Sequence, residues 1–148
     1  MDTRNYSLRL TASDPELAQV WVRRQHFAIG RPIEFDDASP RIAALEYALG
    51  AMAGEVVNGL RVFASRRRIQ LAEVEALITA ETAHEAAYLE VVGESGVPRI
   101  VGVHVKVFAA SDDEAGLRRA WSELLDRLPL VCTLRVAVPM RMELLIGP

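Results

Sequence analysis

The sequence contains one cysteine, Cys132, which excludes an internal disulfide and any cysteine-based metal cluster. Lysine is equally scarce: Lys106 stands alone against many arginines, and with the abundant alanine this bias suggests a GC-rich bacterial genome. No run approaches the roughly 18 to 20 apolar residues of a membrane span. The opening Met1-Asp2-Thr3-Arg4-Asn5-Tyr6 has no apolar core of a signal peptide. A cytoplasmic protein without a membrane partner is expected. A net charge of −3 and a pI of 5.6 give no general attraction to nucleic acid. Phosphate-binding glycine loops and nucleophile elbows are missing. His26, His84 and His104 are dispersed, without the spacing of a metal site. Neither metal nor cofactor is expected.

What remains is a chain of 148 residues, half apolar and a quarter charged, the size of one globular domain over 1–148. Tyr6, Leu8 and Leu10 alternate with polar residues as in a half-buried strand. Ser13-Asp14-Pro15-Glu16 is turn chemistry, Ala18, Val20 and Val22 read as the returning strand, and Phe27 and Ile29 as a third. A loop over Glu34 to Ser39 leads to the strongest element. Ser39-Pro40 offers a helix start, and Ile42, Leu45, Leu49, Met52, Val56, Leu60 and Phe63 recur at helical spacing. Gly50 and Gly54 cost about 1 kcal/mol each against alanine, which predicts close approach of another backbone. Arg66-Arg67-Arg68 closes the helix where cations offset its dipole, a sufficient reason for the run without phosphate.

A strand is expected over Ile69 to Thr79, irregular chain from Glu81 to Val97, and a strand from Ile100 to Ala109 whose buried face is Val101, Val103, Val105 and Val107. His104 and Lys106 fall on its other, solvent-facing row. Ser111 and Glu114 form a capping box for a helix striped by Leu117, Ala120, Trp121, Leu124, Leu125 and Leu128, which Pro129 ends. Val136 to Leu145 closes the chain as a strand, with Pro139 arguing for an edge or a bulge. The order β-β-(β)-α-β-β-α-β is that of an α+β domain.

Three stretches in this order resemble the OsmC/Ohr family, named for osmotically induced protein C and organic hydroperoxide resistance protein. Ser39-Pro40 followed by Leu45-Glu46-Tyr47-Ala48-Leu49-Gly50-Ala51-Met52 is similar to the family's proline-led long helix with A-A-L-G-A-C in its middle. Arg68 to Glu75 is similar to the strand that follows, and Leu124 to Leu134 with Val136-Ala137-Val138-Pro139 to the C-P-V-S-x-x-L segment and what succeeds it. The resemblance implies an OsmC-like fold, a long central helix and a second helix packed on antiparallel sheet. It also implies an intertwined homodimer with the reactive site at its interface.

The family's peroxidases attack hydroperoxide with a helix thiolate and resolve the sulfenic acid with the cysteine before the proline. Here the second position is Leu128, ahead of Pro129; the first is Met52 if Leu49-Gly50-Ala51 sets the register, or Ala51 if Pro40 does. None carries a thiol. The family's glutamate after the helix-leading proline is replaced by Arg41, and its arginine in the first hairpin by Ser13-Asp14-Pro15-Glu16. The activating charges are expected to have gone with the nucleophile. Cys132 reads as a small buried hydrophobe, and Glu46 and Glu55, flanking the helix stripe, as solvated or paired carboxylates.

Three functions stay open. The old peroxide site, lined by Met52, Val56, Glu55, Trp121, Leu128 and Cys132, could hold an apolar small molecule. Cys132 could sustain altered peroxide chemistry. The chain could also be a structural or interaction dimer with those side chains as core.

Overall fold

A computed structural model describes residues 1–35 and 39–147. Asp36, Asp37 and Ala38 of the Glu34–Ser39 loop lie outside the described residues. The contacts divide the chain into two units, Met1–Ala48 and the residues from Leu49 onward.

In the first unit, β1 (Arg9–Asp14), β2 (Leu17–Val22) and β3 (Gln25–Ile29) form an antiparallel sheet in the order β1-β2-β3. The first strand begins later than the Tyr6-Leu8-Leu10 alternation predicts, and all three of those side chains are exposed. Their pattern alone could not tell a buried face from a wet one. The face that is buried belongs to β2, where Val20 is 2% exposed. At the β1–β2 turn Asp14 Oδ1 accepts from the amide of Glu16 at 2.8 Å. The amide of Gly30 donates to the Ile42 carbonyl at 2.8 Å, and the rings of Phe27 and Tyr47 lie 4.9 Å apart.

The long helix α1 (Ala44–Arg66) starts after Ser39-Pro40, not at it. Its cap is supplied by Glu46, whose Oε2 accepts from the Ala43 amide at 2.7 Å; this is the reaching-back half of a capping box. Ser39 Oγ instead accepts from the amide of Arg41 at 3.4 Å. Ile42 precedes the helix and is exposed.

In the second unit, β4 (Val74–Ala83), β5 (Arg99–Ala110) and β6 (Met140–Gly147) form a sheet in the order β4-β5-β6. β4 pairs with β5 antiparallel, but β6 pairs with β5 parallel, so this sheet is mixed and not wholly antiparallel. Parallel neighbours need a crossover, and two helices between β5 and β6 provide it, α3 (Glu114–Leu125) and α4 (Pro129–Leu134); the short α2 (Glu85–Tyr88) lies between β4 and β5. β4 starts five residues later than expected and extends to Ala83. Gly93 and Gly96, with φ of 89° and 124°, turn the following loop.

Asp113, not Ser111, caps α3, its Oδ1 accepting from the Gly116 amide at 2.8 Å. Ser111 Oγ donates to the Gln70 carbonyl at 2.8 Å. Pro129 does not end α3, which stops at Leu125; it opens α4, where the missing N–H costs nothing. Pro139 lies just before the edge strand β6 and its carbonyl accepts from Val103 N at 3.0 Å. The core joins Met52, Val56, Leu60 and Ala64 of α1, Val103, Val105 and Val107 of β5, the α3 stripe, Leu128 and Val131. Among the described residues no helix is long and apolar enough to cross a membrane.

Candidate functional site

The residues expected to line the old peroxide site come from α1, α3 and α4, and the second unit brings most of them into one core. Met52, Val56, Trp121 and Leu128 are 1%, 0%, 8% and 5% exposed. Ala51, the alternative first position, is exposed on the neighbouring face of α1. Leu128 is seated on Gly59: a Cβ built on that glycine would stand 2.8 Å from Leu128 Cδ2 and 2.9 Å from Leu124 Cδ1. Gly59 lies seven residues, about 10 Å of helix rise, beyond Met52.

The expected close approach at Gly50 and Gly54 is not found among the described residues, since a Cβ at either would meet nothing within 4 Å. The packed glycine is Gly59. Its absence of side chain admits the Leu124 and Leu128 methyl groups, a fact the helical stripe could not reveal because Gly59 adds nothing to an apolar count.

Glu55 is paired, and its partners are backbone. Its carboxylate accepts from the amide of Leu130 at 3.0–3.1 Å and from that of Val131 at 3.3 Å. These are free first-turn donors of α4, so a side chain of α1 caps a helix 75 residues later. The sign suits the positive end of the helix. Leu128, the residue at the N-cap position, gives no side-chain bond, which leaves this task to Glu55.

Cys132 is half-buried. Its thiol donates to the Leu125 carbonyl at 3.6 Å, and Arg135 Nη1 reaches the same oxygen at 3.5 Å while holding Asp126 at 2.9 Å.

Arg41 and Glu16, the two departures from the family's charge pattern, meet. Arg41 Nη2 lies 3.8 Å from Glu16 Oε2, and Arg31 Nη2 is 3.7 Å from Glu16 Oε1. The two stretches are thus joined by an exposed ion pair in which each charge is opposite to the one the resemblance led us to look for.

His104 and Lys106 are half-buried on the outer row of β5, not free in solvent. His104 Nε2 lies 3.3 Å from Glu143 Oε2, and Arg141 pairs with the same carboxylate. Burial opposes ionisation of Glu143, but the adjacent His104 and the charges of Arg141 and Lys106 outweigh it and hold its carboxyl below the ordinary value. An open depression borders this cluster, lined by Thr79, Glu81, His104, Pro139 and Arg141 among others. Arg66-Arg67-Arg68 ends α1 as expected: Arg67 sits over the Phe63 ring at 4.9 Å and pairs with Glu123. Among the described residues no three His, Cys, Asp or Glu side chains gather as metal ligands.

No family model matches the sequence, and no curated protein does. Solved structures match over nearly all of it. An OsmC-like protein from Mycoplasma pneumoniae superposes with a TM-score of 0.79 at 12% identity, covering 100% of both chains. An organic hydroperoxide resistance protein OsmC from Legionella pneumophila gives 0.72 at 10% identity, covering 96% of this chain and 98% of that one. The organic hydroperoxide resistance protein OhrB of Bacillus subtilis gives 0.63 at 13% identity, covering 95% and 98%. Identities so low establish architecture and not chemistry, and on that footing the chain has the fold of the OsmC-like and organic hydroperoxide resistance proteins.

Proposed function

We propose that this protein is an OsmC-like family member that has left thiol peroxidase chemistry, a cytoplasmic homodimer in which Met52 and Leu128 take the two former thiol positions into the core. One observation carries the reading: the chain has a single cysteine, and the residues at the family's reactive positions are Met52 or Ala51 and Leu128. A sulfenic acid formed on one thiol needs a second to resolve it, and one chain cannot hold both.

Three features support the same reading. Glu16 in the first hairpin and Arg41 after the helix-leading proline carry charges opposite to those that the family's peroxidases carry in these two stretches, so the family's activating charges are absent along with its thiols. Met52, Val56 and Leu128 are closed off from solvent within a single chain, which supports core filling over an open site for an apolar small molecule. The open space at Gly50 and Gly54 suits the backbone of a second copy, and this supports the homodimer.

A second reading, hydroperoxide reduction through Cys132, rests on Arg135, whose guanidinium shares the Leu125 carbonyl with the thiol. A neighbouring cation favours a thiolate, but this one is already paired with Asp126. The pure protein should show no organic hydroperoxide turnover with a dithiol reductant, before or after Cys132→Ser. Turnover lost on that substitution would establish the second reading; turnover in both proteins would refute both.

A further inference from the structure

The outward face of the first sheet carries a row of three directly opposed side chains. Arg9 of β1 pairs with Trp21 of β2, and Trp21 with His26 of β3. Side chains so placed are close neighbours on one face. The Trp21 and His26 rings stack, with centroids 5.0 Å apart and planes inclined by 29°. The opposite face carries Val20 and Phe27, and Phe27 meets Tyr47 of α1. The Trp21 row therefore lies on the face away from Tyr47. Trp21 remains 43% exposed, a large aromatic surface left in water with no core to fill.

One residue pair beyond this row lies the β2–β3 turn, Arg23-Arg24. A two-residue hairpin turn favours Asn-Gly, because positive φ is costly for other residues. Here Arg23 takes φ of 54°. Turn chemistry does not explain two arginines there. Among the described residues, Arg9, Arg23 and Arg24 have no carboxylate partner. The nearest acidic groups in this hairpin, Asp14 and Glu16, lie at the other end, where Glu16 is engaged by Arg31 and Arg41.

We propose that this face binds single-stranded nucleic acid, stacking a base on the Trp21–His26 pair while Arg9, Arg23 and Arg24 meet its phosphates. Aromatic rings on an open sheet with cations tracking the backbone are the two requirements of such binding, and neither needs base-specific contacts. The net charge of −3 does not oppose it, since phosphate binding follows the cations in contact and the counterions they displace. An anionic membrane shares the charge requirement, but the next row on this face, Thr11, Gln19 and Ala28, is too polar and too small to enter acyl chains. The inference is independent of the thiol positions.

Anisotropy of a labelled twelve-nucleotide oligothymidine, titrated with the full chain at about 50 and 200 mM salt, tests it. Saturable binding that weakens with salt is expected. Trp21→Ala should weaken it about 5- to 160-fold, the range for loss of one base stack. The pair Arg23→Asn with Arg24→Gly gives the turn a more favourable sequence, so it keeps the fold even if Trp21→Ala does not. It should lower the slope of log affinity against log salt by about 1.4. No binding, binding indifferent to both variants, an equal affinity for thymidine monophosphate, or binding to anionic vesicles without binding to the oligonucleotide would each overturn the proposal.

Discussion

Removal of the Glu55 carboxylate should loosen α4 without touching the buried core beneath it. The carboxylate meets two amides, that of Leu130 through both oxygens at 3.0–3.1 Å and that of Val131 at 3.3 Å. Loss of a helix-capping side chain costs about 0.5–2 kcal/mol, and loss of a negative charge at the N-terminus about 0.3–1 kcal/mol more. Leu130 is partly exposed, so water can replace some of what its amide loses. We therefore expect Glu55→Ala to destabilise the fold by about 1–2.5 kcal/mol. In a chain of this size that is a fall of about 2–10 °C in Tm. Glu55→Gln keeps one acceptor oxygen and should lose roughly half as much.

The thermal measurement has a chemical companion. α4 carries Cys132, so fraying of its first turn should speed the reaction of that thiol with an aromatic disulfide reagent, in the order Glu55→Ala, Glu55→Gln, wild type. A Tm of Glu55→Ala within 1 °C of wild type would refute the capping role. So would a Gln variant as unstable as the Ala variant, because the retained oxygen would then count for nothing.

Gly59→Ala gains helix propensity of about 1 kcal/mol but drives a methyl into Leu124 and Leu128, at about 1–3 kcal/mol for overpacking. Equilibrium denaturation should show a net loss, whereas Gly50→Ala, with open space around it, should show none in the monomeric chain. Exchange of the exposed pair, Glu16→Arg with Arg41→Glu, should change stability by less than about 1 kcal/mol, as surface ion pairs are worth little; a larger loss by calorimetry would mean that the reversed polarity is structurally required. Glu143, whose carboxyl is held below its ordinary value, stabilises the fold above the ordinary glutamate range. That contribution fades as pH falls through its lowered value, so a plot of Tm against pH from about 5 to 2.5 should flatten in Glu143→Gln.

Much of the fold was legible because burial imprints a period. The α1 stripe from Leu49 to Phe63 and the alternating valines of β5 were readable at full length, since each reports a face turned from water. The same logic failed at Tyr6, Leu8 and Leu10, whose alternation has no core beneath it. It also passed over Trp21, which stood on the nominally polar face of β2; its place opposite Arg9 and His26 depends on strand register, and periodicity within one strand carries no register.

What the sequence alone determined is local and subtractive: helix and strand by side-chain spacing, and the want of a second thiol by simple inventory. Tertiary structure decided everything that depends on two distant segments meeting. It placed β6 parallel to β5, chose Gly59 over Gly50 and Gly54 as the packed glycine, joined Glu16 to Arg41, and gave the first turn of α4 its cap from α1. A carboxylate reads the same in a sequence whether water or a remote amide will receive it, because the partner is fixed only when the chain closes on itself.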